Sequence, residues 1–222
     1  MMNTQDGAVP LVTTWDVLDD LKERGVIDAG TRLEARTMLR QSGYAFAPLD
    51  RDELLTILEA ARVVDGVVEE TVGLRAIRES VTRLRMSNVL QLPHEAAWLD
   101  RITGICFQAL QSLWSAETSE DRQRACSDWL LDLTDPRGWA HRMAHEAGIR
   151  DIAYRVWLRF LLILPVGQSD TIAEAYGQWL EDRVLLRLQQ EEPGVFKVLV
   201  EDATKWIEAF STKSKKENLS DG

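Results

Sequence analysis

The sequence predicts an all-α protein, an irregular multi-helix bundle of about eight to ten helices. Apolar residues recur at steps of three or four along most of the chain, and the eight tryptophans fall among them. The connections after residue 66 are short, which favours antiparallel neighbours in a bundle. With 222 residues, of which 45% are hydrophobic, the chain can bury a core of its own. Only the segment 44–49 alternates aromatic and small residues, so at most one short extended segment is expected there.

The first part of the chain is predicted to be a polar, disordered start over residues 1–12 and an N-terminal helical segment over residues 13–66. Asp65-Gly66 is a probable turn and the best candidate for a boundary. Side chains that can accept a hydrogen bond from the first helical turn predict three helix starts before it. These starts are at Thr13 with Asp16, at Asp28, and at Asp50 with Glu53. The apolar residues expected on the first two helices are Val17, Leu18, Leu21, Leu33, Met38 and Leu39.

Residues 67–211 are predicted to form the main helical bundle. The clearest helix carries an apolar stripe at helical spacing, made of Trp98, Ile102, Ile105, Ala109 and Leu113. Other stripes are Ile77, Val81 and Leu84, then Ala125, Trp129 and Leu133. The stretch 152–164 is apolar on most sides and should lie centrally. The last helix is expected to begin at Pro193, and the lysine-rich residues 212–222 are expected to be disordered.

Charge and cysteine usage limit the class of protein. The chain has 26 basic and 36 acidic residues, for a formal net charge of −10, which disfavours a generic nucleic-acid binder. Cys106 and Cys126 lie in apolar helical stretches, and the chain starts with no secretory signal. We therefore expect two reduced, partly buried thiols in the cytoplasm, with a disulfide between neighbouring helices as the alternative. No run is long enough to span a membrane.

Two patterns suggest metal chemistry. His141 and His145 share a helix face at the spacing of metal ligands, and Glu146 follows them. The order is not HExxH, so the glutamate is misplaced for a zinc protease, and histidines at a surface are the more common explanation. The only dense acidic group could hold Mg²⁺ in a nuclease, but capping explains most of it. Its members are Asp16, Asp19, Asp20, Asp50, Asp52 and Glu53. No catalytic residue and no cofactor is predicted.

Candidate partner-binding residues are the arginines of one helix and a tryptophan. Arg75, Arg78 and Arg85 could meet an acidic partner or a phosphate, whereas pairing with nearby glutamates is the default for such arginines. Trp139 is a candidate anchor, because tryptophan is favoured at protein interfaces.

Residues 14–18 with Leu21, 25–27 and 43–49 resemble a region of PIN-like domains that occur in large multidomain bacterial proteins. Residues 84–93 with Glu95 and 98–99, and residues 129–131 with 137–142, resemble the helical extension found in those proteins. Those domains have an N-terminal strand bearing an aspartate, which this sequence lacks, so the resemblance carries over no catalytic residue. It implies that the chain is the helical portion of such a protein, standing alone or with a separately encoded partner.

The predicted function is that of a non-enzymatic helical protein–protein interaction module with a groove for a protein partner. The resemblance adds a bacterial regulatory or defence assembly as its setting. Two alternatives stay open. One is a split or degenerate PIN-like metal-dependent nuclease component, and the other is a regulator that contacts nucleic acid through the arginine-rich helix. The sequence leaves the oligomeric state and the partner undetermined.

Overall fold

The computed structural model describes residues 12–44, 46–86, 93–116, 118–135, 146–162 and 169–220, and it confirms the all-α, multi-helix fold. A π-helical turn, Glu181–Leu185, joins two of the helices into one rod. The helices are α1 Thr14–Glu23, α2 Ala29–Gln41, α3 Arg51–Ala60, α4 Val72–Met86, α5 Pro93–Ser115, α6 Glu120–Thr134, α7 Glu146–Leu162, α8 Asp170–Leu180, α9 Leu186–Glu191 and α10 Pro193–Ser220.

Side-chain caps start the first three helices as the sequence predicts. Thr13 and Asp16 form a capping box, in which each side chain accepts a hydrogen bond from the other residue's backbone N–H. Asp28 accepts from the backbone of Thr31 at the start of α2. Asp50 accepts from the backbone N–H of Glu53 at 2.7 Å and starts α3. These local hydrogen bonds satisfy amides that the helix itself leaves unpaired.

The extended structure lies in a different place from the one predicted. Strands β1 (Arg62–Val64) and β2 (Val67–Glu69) form an antiparallel hairpin, whereas the described residues of segment 44–49 contain no strand. Both turn residues of the hairpin have positive φ, 51° at Asp65 and 75° at Gly66, as a type I′ turn requires. The turn predicted at this dipeptide is therefore confirmed, and it gives the flanking valines a partner strand.

A substitution at Gly66 tests whether this turn needs a residue that readily adopts a positive φ. Gly66→Ala is expected to lower the free energy of unfolding by about 1–2 kcal/mol, because left-handed backbone is costly once a Cβ is present. Gly177→Ala is the matched control, since Gly177 lies within α8 and an added Cβ there meets no described atom within 4 Å. Urea denaturation of both variants measures the difference. Equal stability of the two variants would contradict the role given to the turn.

The core is a single cluster of buried residues that runs from Leu49 to Leu199. The predicted stripes of α4, α5 and α6 lie in it, with only Ile105 partly exposed. Near its centre, four aromatic rings pack with centroids 5.2–6.2 Å apart. They are Trp114, Phe160, Tyr176 and Trp179. Helix α2 packs on α4 and α3 packs on α5, so contacts cross the boundary predicted at residue 66.

The predicted inner faces of α1 and α2 are partly wrong. Val17 and Met38 are 46% and 65% exposed, while Trp15 is the buried residue of α1. The buried residues of α2 are Arg36 and Arg40. Charged side chains occupy this inner face because acidic partners on other elements reach them.

The boundaries of two later helices also differ from the sequence prediction. Helix α7 begins at Glu146 and passes through Gly148, where the sequence suggested a break before residue 152. Helix α10 extends to Ser220 and so includes most of the tail predicted to be disordered at 212–222. The tail contains three lysines, one glutamate and one leucine, which are good helix formers, and this favours the continuation.

The structure also bears on the predictions about the two cysteines and about membrane-spanning helices. Neither Cys106 nor Cys126 forms a disulfide, both are buried, and burial raises the pKa of Cys126. Over the described residues, no helix combines the length and the apolar character needed to cross a membrane.

Candidate functional site

Three arginines follow one face of α2, and we call them the arginine ladder: Arg32, Arg36 and Arg40. Their spacing of four residues places them one above the other along the helix. Arg36 and Arg40 are each only 2% exposed, which is rare for a charged side chain unless it is paired.

Carboxylates from two other helices pair with the ladder. Glu53 of α3, whose side chain is 1% exposed, lies with Oε1 2.5 Å from Arg40 Nη1 and Oε2 3.1 Å from Arg36 Nη2. Arg32 Nε donates to Asp19 Oδ1 of α1 at 2.6 Å. Both Arg32 and Arg36 lie 3.4 Å from Asp50, the residue that caps α3. The ladder therefore ties the first three helices together.

The ladder also holds the chain between α2 and α3. Arg36 and Arg40 each donate to the carbonyl oxygen of Pro48, at 2.9 and 2.6 Å. Trp98 of α5 donates its indole N–H to the carbonyl of Ala47 at 3.2 Å. With these carbonyls bound by side chains, the described residues of 44–49 do not pair as a strand. Phe46 has a φ of 55° and packs edge-on against Trp98.

The acidic group that suggested Mg²⁺ binding is largely accounted for by these pairs. Asp19, Asp50 and Glu53 converge, but each accepts from a guanidinium of the ladder. Metal ligands need lone pairs that point into a shared vacant centre. Here one oxygen of each of the three carboxylates accepts from an arginine, while Glu53 Oε2 has no hydrogen-bond partner among the described atoms. In the described parts of the chain, no three His, Cys, Asp or Glu side chains are grouped to hold a metal ion.

The arginine ladder was not predicted from the sequence, although the spacing of its arginines could have indicated it. Arg32, Arg36 and Arg40 are spaced so that they fall on one helix face. Asp50 and Glu53 match the pattern of a helix start, and that pattern does not indicate that they also pair with arginines. Burial lowers the pKa of Arg36, while the carboxylate of Glu53 opposes that shift. Among the described atoms, Arg36 Nε has no hydrogen-bond partner, so the cluster is not fully satisfied.

Of the predicted partner-binding arginines, Arg78 is committed to an internal pair. Its Nε and Nη2 donate to the two oxygens of Glu70 at 2.6 and 2.7 Å, and Trp129 Nε1 donates to the same carboxylate at 2.9 Å. Arg75 is exposed on α4. The other candidates lie outside what the structure describes: Trp139, His141 and His145 entirely, and Arg85 and Glu146 in their side chains, although both belong to helices.

The Glu70 pair predicts a pH dependence of stability. Burial raises the pKa of Glu70, but the hydrogen bonds from Arg78 and Trp129 outweigh that effect and leave the pKa below the 4.5 that is usual for a glutamate. A carboxyl whose pKa is depressed on folding stabilises the fold above its unfolded pKa, and that stabilisation is lost as the pH falls through the folded pKa.

We therefore expect Glu70→Gln to destabilise the protein at pH 7 and to have a smaller effect as the pH falls below about 4.5. Thermal unfolding of both proteins between pH 3 and pH 7 measures this convergence. Glu69→Gln is the control, because Glu69 is exposed on the same hairpin, 3.8 Å from Arg62. A difference between Glu70→Gln and the unsubstituted protein that does not change with pH would refute the assignment.

An open groove of about 490 Å³ lies between α5 and α7. Its lining from α5 is Asp100, Arg101, Gly104, Ile105, Phe107 and Gln108, and its lining from α7 is Arg159 and Leu162. The guanidinium of Arg159 sits 5.8 Å from the centroid of the Phe107 ring, in cation–π geometry, and 3.3 Å from Asp100. The groove thus has an apolar floor and a charged rim.

The described lining of the groove combines apolar side chains with charged ones. Its titratable lining groups are Asp100, Arg101 and Arg159, and this set does not pair a nucleophile with a base. Apolar side chains beside arginines suit a ligand that has both an apolar face and negative charge. Of the described surface, we take this groove as the candidate functional site. The sequence indicated the apolar stripe of α5 but not the groove, because α7 forms its other wall.

Comparison with known protein families, with characterised proteins and with solved structures finds no match for this chain. The resemblance to PIN-like domains therefore stays a prediction, and the function is argued from the geometry alone.

Proposed function

We propose that this protein is a non-enzymatic helical module that binds another protein. The observation that carries the proposal is the open groove between α5 and α7. Asp100 to Gln108 span roughly 12 Å of α5 at 1.5 Å per residue, about two helical turns. An open trough of that length suits an extended surface such as a helix better than a small ligand, which proteins usually enclose on most sides.

The charged clusters support the same proposal. Glu53 pairs with both buried arginines of α2, Asp50 also pairs with Arg36, and Glu70 pairs with Arg78. Salt-bridged networks of this kind position helices and leave few groups to bind a metal or a phosphate. No observation in the described part of the structure specifically favours the nuclease or the nucleic-acid alternative. The interaction module is therefore the function that we put forward.

Sizing of the protein tests the proposal. A copy purified from its native host at near-physiological salt through a tag that is then removed should run, by size-exclusion chromatography with light scattering, above the 25.2 kDa of the single chain. The same chain produced in an unrelated host provides the comparison, and it distinguishes self-association from a specific partner. A single species of 25.2 kDa from both hosts, with nothing bound, would overturn the proposed function.

A further inference from the structure

A glycine in the wall of the groove has no role in the internal packing that the structure describes. Gly104 lies in the middle of α5, where glycine costs about 0.5–1 kcal/mol of stability relative to alanine. A Cβ added there would meet no described atom within 4 Å, and the position does not have the positive φ that favours glycine. The fold therefore gains nothing visible from the missing side chain, whereas a molecule approaching α5 from outside would come closer to the backbone.

The neighbours of Gly104 form one face of α5. Arg101, Gly104, Ile105 and Gln108 are spaced by three or four residues, so they lie along a single stripe that borders the groove. Ile105 is partly buried and Phe107 is buried beneath the groove. A helix that lays its own apolar stripe on this surface would meet a matching period, with its closest approach at the glycine.

The charges at the rim indicate the sign of the partner. Arg101 forms no ion pair with any residue that the structure describes. Arg159 remains 44% exposed beside its partner Asp100. The lining therefore has one more cation than anions, on a chain whose overall formal charge is −10. A carboxylate brought into the groove would meet the guanidinium of Arg101, which pairs with none of the described carboxylates, whereas a basic group would be repelled.

We propose that the α5–α7 groove receives one amphipathic helix of a different protein, with its backbone closest at Gly104 and an acidic side chain facing Arg101 and Arg159. This inference rests on the proposed function and adds to it the surface and the chemistry of the partner. A second copy of this chain and a basic segment are the competing occupants, and the experiment below distinguishes them.

Site-directed photocrosslinking in the native host tests the inference. Gln108→benzoylphenylalanine places a crosslinker at the exposed end of the groove, and Gln189→benzoylphenylalanine places one on the exposed surface of α9. We expect an adduct from position 108 and none from position 189. Mass spectrometry of the crosslinked peptide should identify another protein, with a net negative charge and a helical apolar period in the segment attached.

Substitutions in the groove should then reduce the adduct. Gly104→Leu fills the position of closest approach and Arg101→Glu reverses the charge, and each should lower the adduct yield about tenfold or more, the change expected on losing a central contact. Gly177→Leu and Arg187→Glu are the matched controls and should leave the yield unchanged. Gly177 is a helical glycine with the same open surroundings on α8, and Arg187 is an exposed arginine on α9.

Other outcomes would overturn the inference. These are an adduct with a second copy of this chain, attachment to a basic segment, equal yields from positions 108 and 189, or a yield that Gly104→Leu and Arg101→Glu leave intact. The result also separates the inference from the proposed function. If sizing shows a complex but position 108 gives no adduct, the module binds through another surface and only the inference fails. If no complex and no adduct form, both fail.

Discussion

Glu53→Ala is expected to lower the free energy of unfolding by about 3–5 kcal/mol, among the largest effects of any single substitution in this protein. The side chain of Glu53 is 1% exposed and contacts two arginines that are themselves 2% exposed. Removing the carboxylate leaves Arg36 and Arg40 buried without their closest counter-charge. Because water cannot reach these guanidinium groups in the folded state, the lost pairing is not recovered by hydration.

Urea denaturation followed by circular dichroism measures this effect, and Glu59→Ala provides the control. Glu59 is exposed on the same helix, and its backbone carbonyl oxygen accepts a hydrogen bond from Arg122. We expect Glu59→Ala to change the free energy of unfolding by no more than about 0.5 kcal/mol. Comparable losses for the two variants would show that the ladder is not the buried network described above.

A triple variant separates the loss of pairing from the value of the whole cluster. Replacing Arg36, Arg40 and Glu53 together with apolar residues of similar volume removes all three charges, while Asp50 keeps its contact with Arg32 and the carbonyl of Pro48 loses two donors. Such replacements of buried ionic clusters are often neutral or stabilising. We expect the triple variant to be more stable than Glu53→Ala, and circular dichroism in urea again gives the comparison. If both were equally unstable, shape rather than charge would explain the effect.

Trp114→Ala is expected to lower the free energy of unfolding by about 3–5 kcal/mol through loss of core packing. Trp114 is 1% exposed, and its ring lies 5.2 Å from Tyr176 and 6.2 Å from Trp179, measured between centroids. Removing the indole leaves a cavity between α5 and α8 that the surrounding rings cannot close without moving. Chemical denaturation measures the loss, and near-ultraviolet circular dichroism should report the disturbed aromatic centre.

Trp114→Phe divides that loss into packing and hydrogen bonding. The indole N–H donates to the hydroxyl of Ser127 at 2.9 Å, and the same hydroxyl donates to the carbonyl of Gln123 at 2.6 Å. Phenylalanine keeps most of the ring volume, and Ser127 keeps its other hydrogen bond. We expect a loss of about 1–2 kcal/mol. A loss as large as that of Trp114→Ala would mean that the hydrogen bond, and not the ring, dominates at this position.

One part of the candidate site could be predicted from the sequence, and another part could not. The stripe that includes Trp98, Ile102 and Leu113 predicted the buried face of α5, and the same face positions the indole that anchors Ala47. The groove beside it was not predictable in detail, because Arg159 and Leu162 reach it from a helix more than fifty residues away. Spacing along one helix does not specify which other helix lies beside it.

The arginine ladder shows the same limit. A regular four-residue spacing marked Arg32, Arg36 and Arg40 as one face, but an arginine face is ordinarily solvated. Its burial depends on Glu53, Asp19 and Trp15, which α3 and α1 bring to it. Met38, the apolar residue predicted to face inward, is exposed because the opposite face of α2 makes those contacts.

The sequence by itself determined the helical class, the capped starts of the first helices and the apolar stripes of α4 to α6, because each arises from interactions within a few residues. Only the tertiary structure decided that two arginines would be buried, that the strands would lie on either side of Asp65-Gly66, and that α5 and α7 would leave a groove. The physical reason is that burial, ion pairing and cavity shape depend on groups distant along the chain, whose meeting no local pattern encodes.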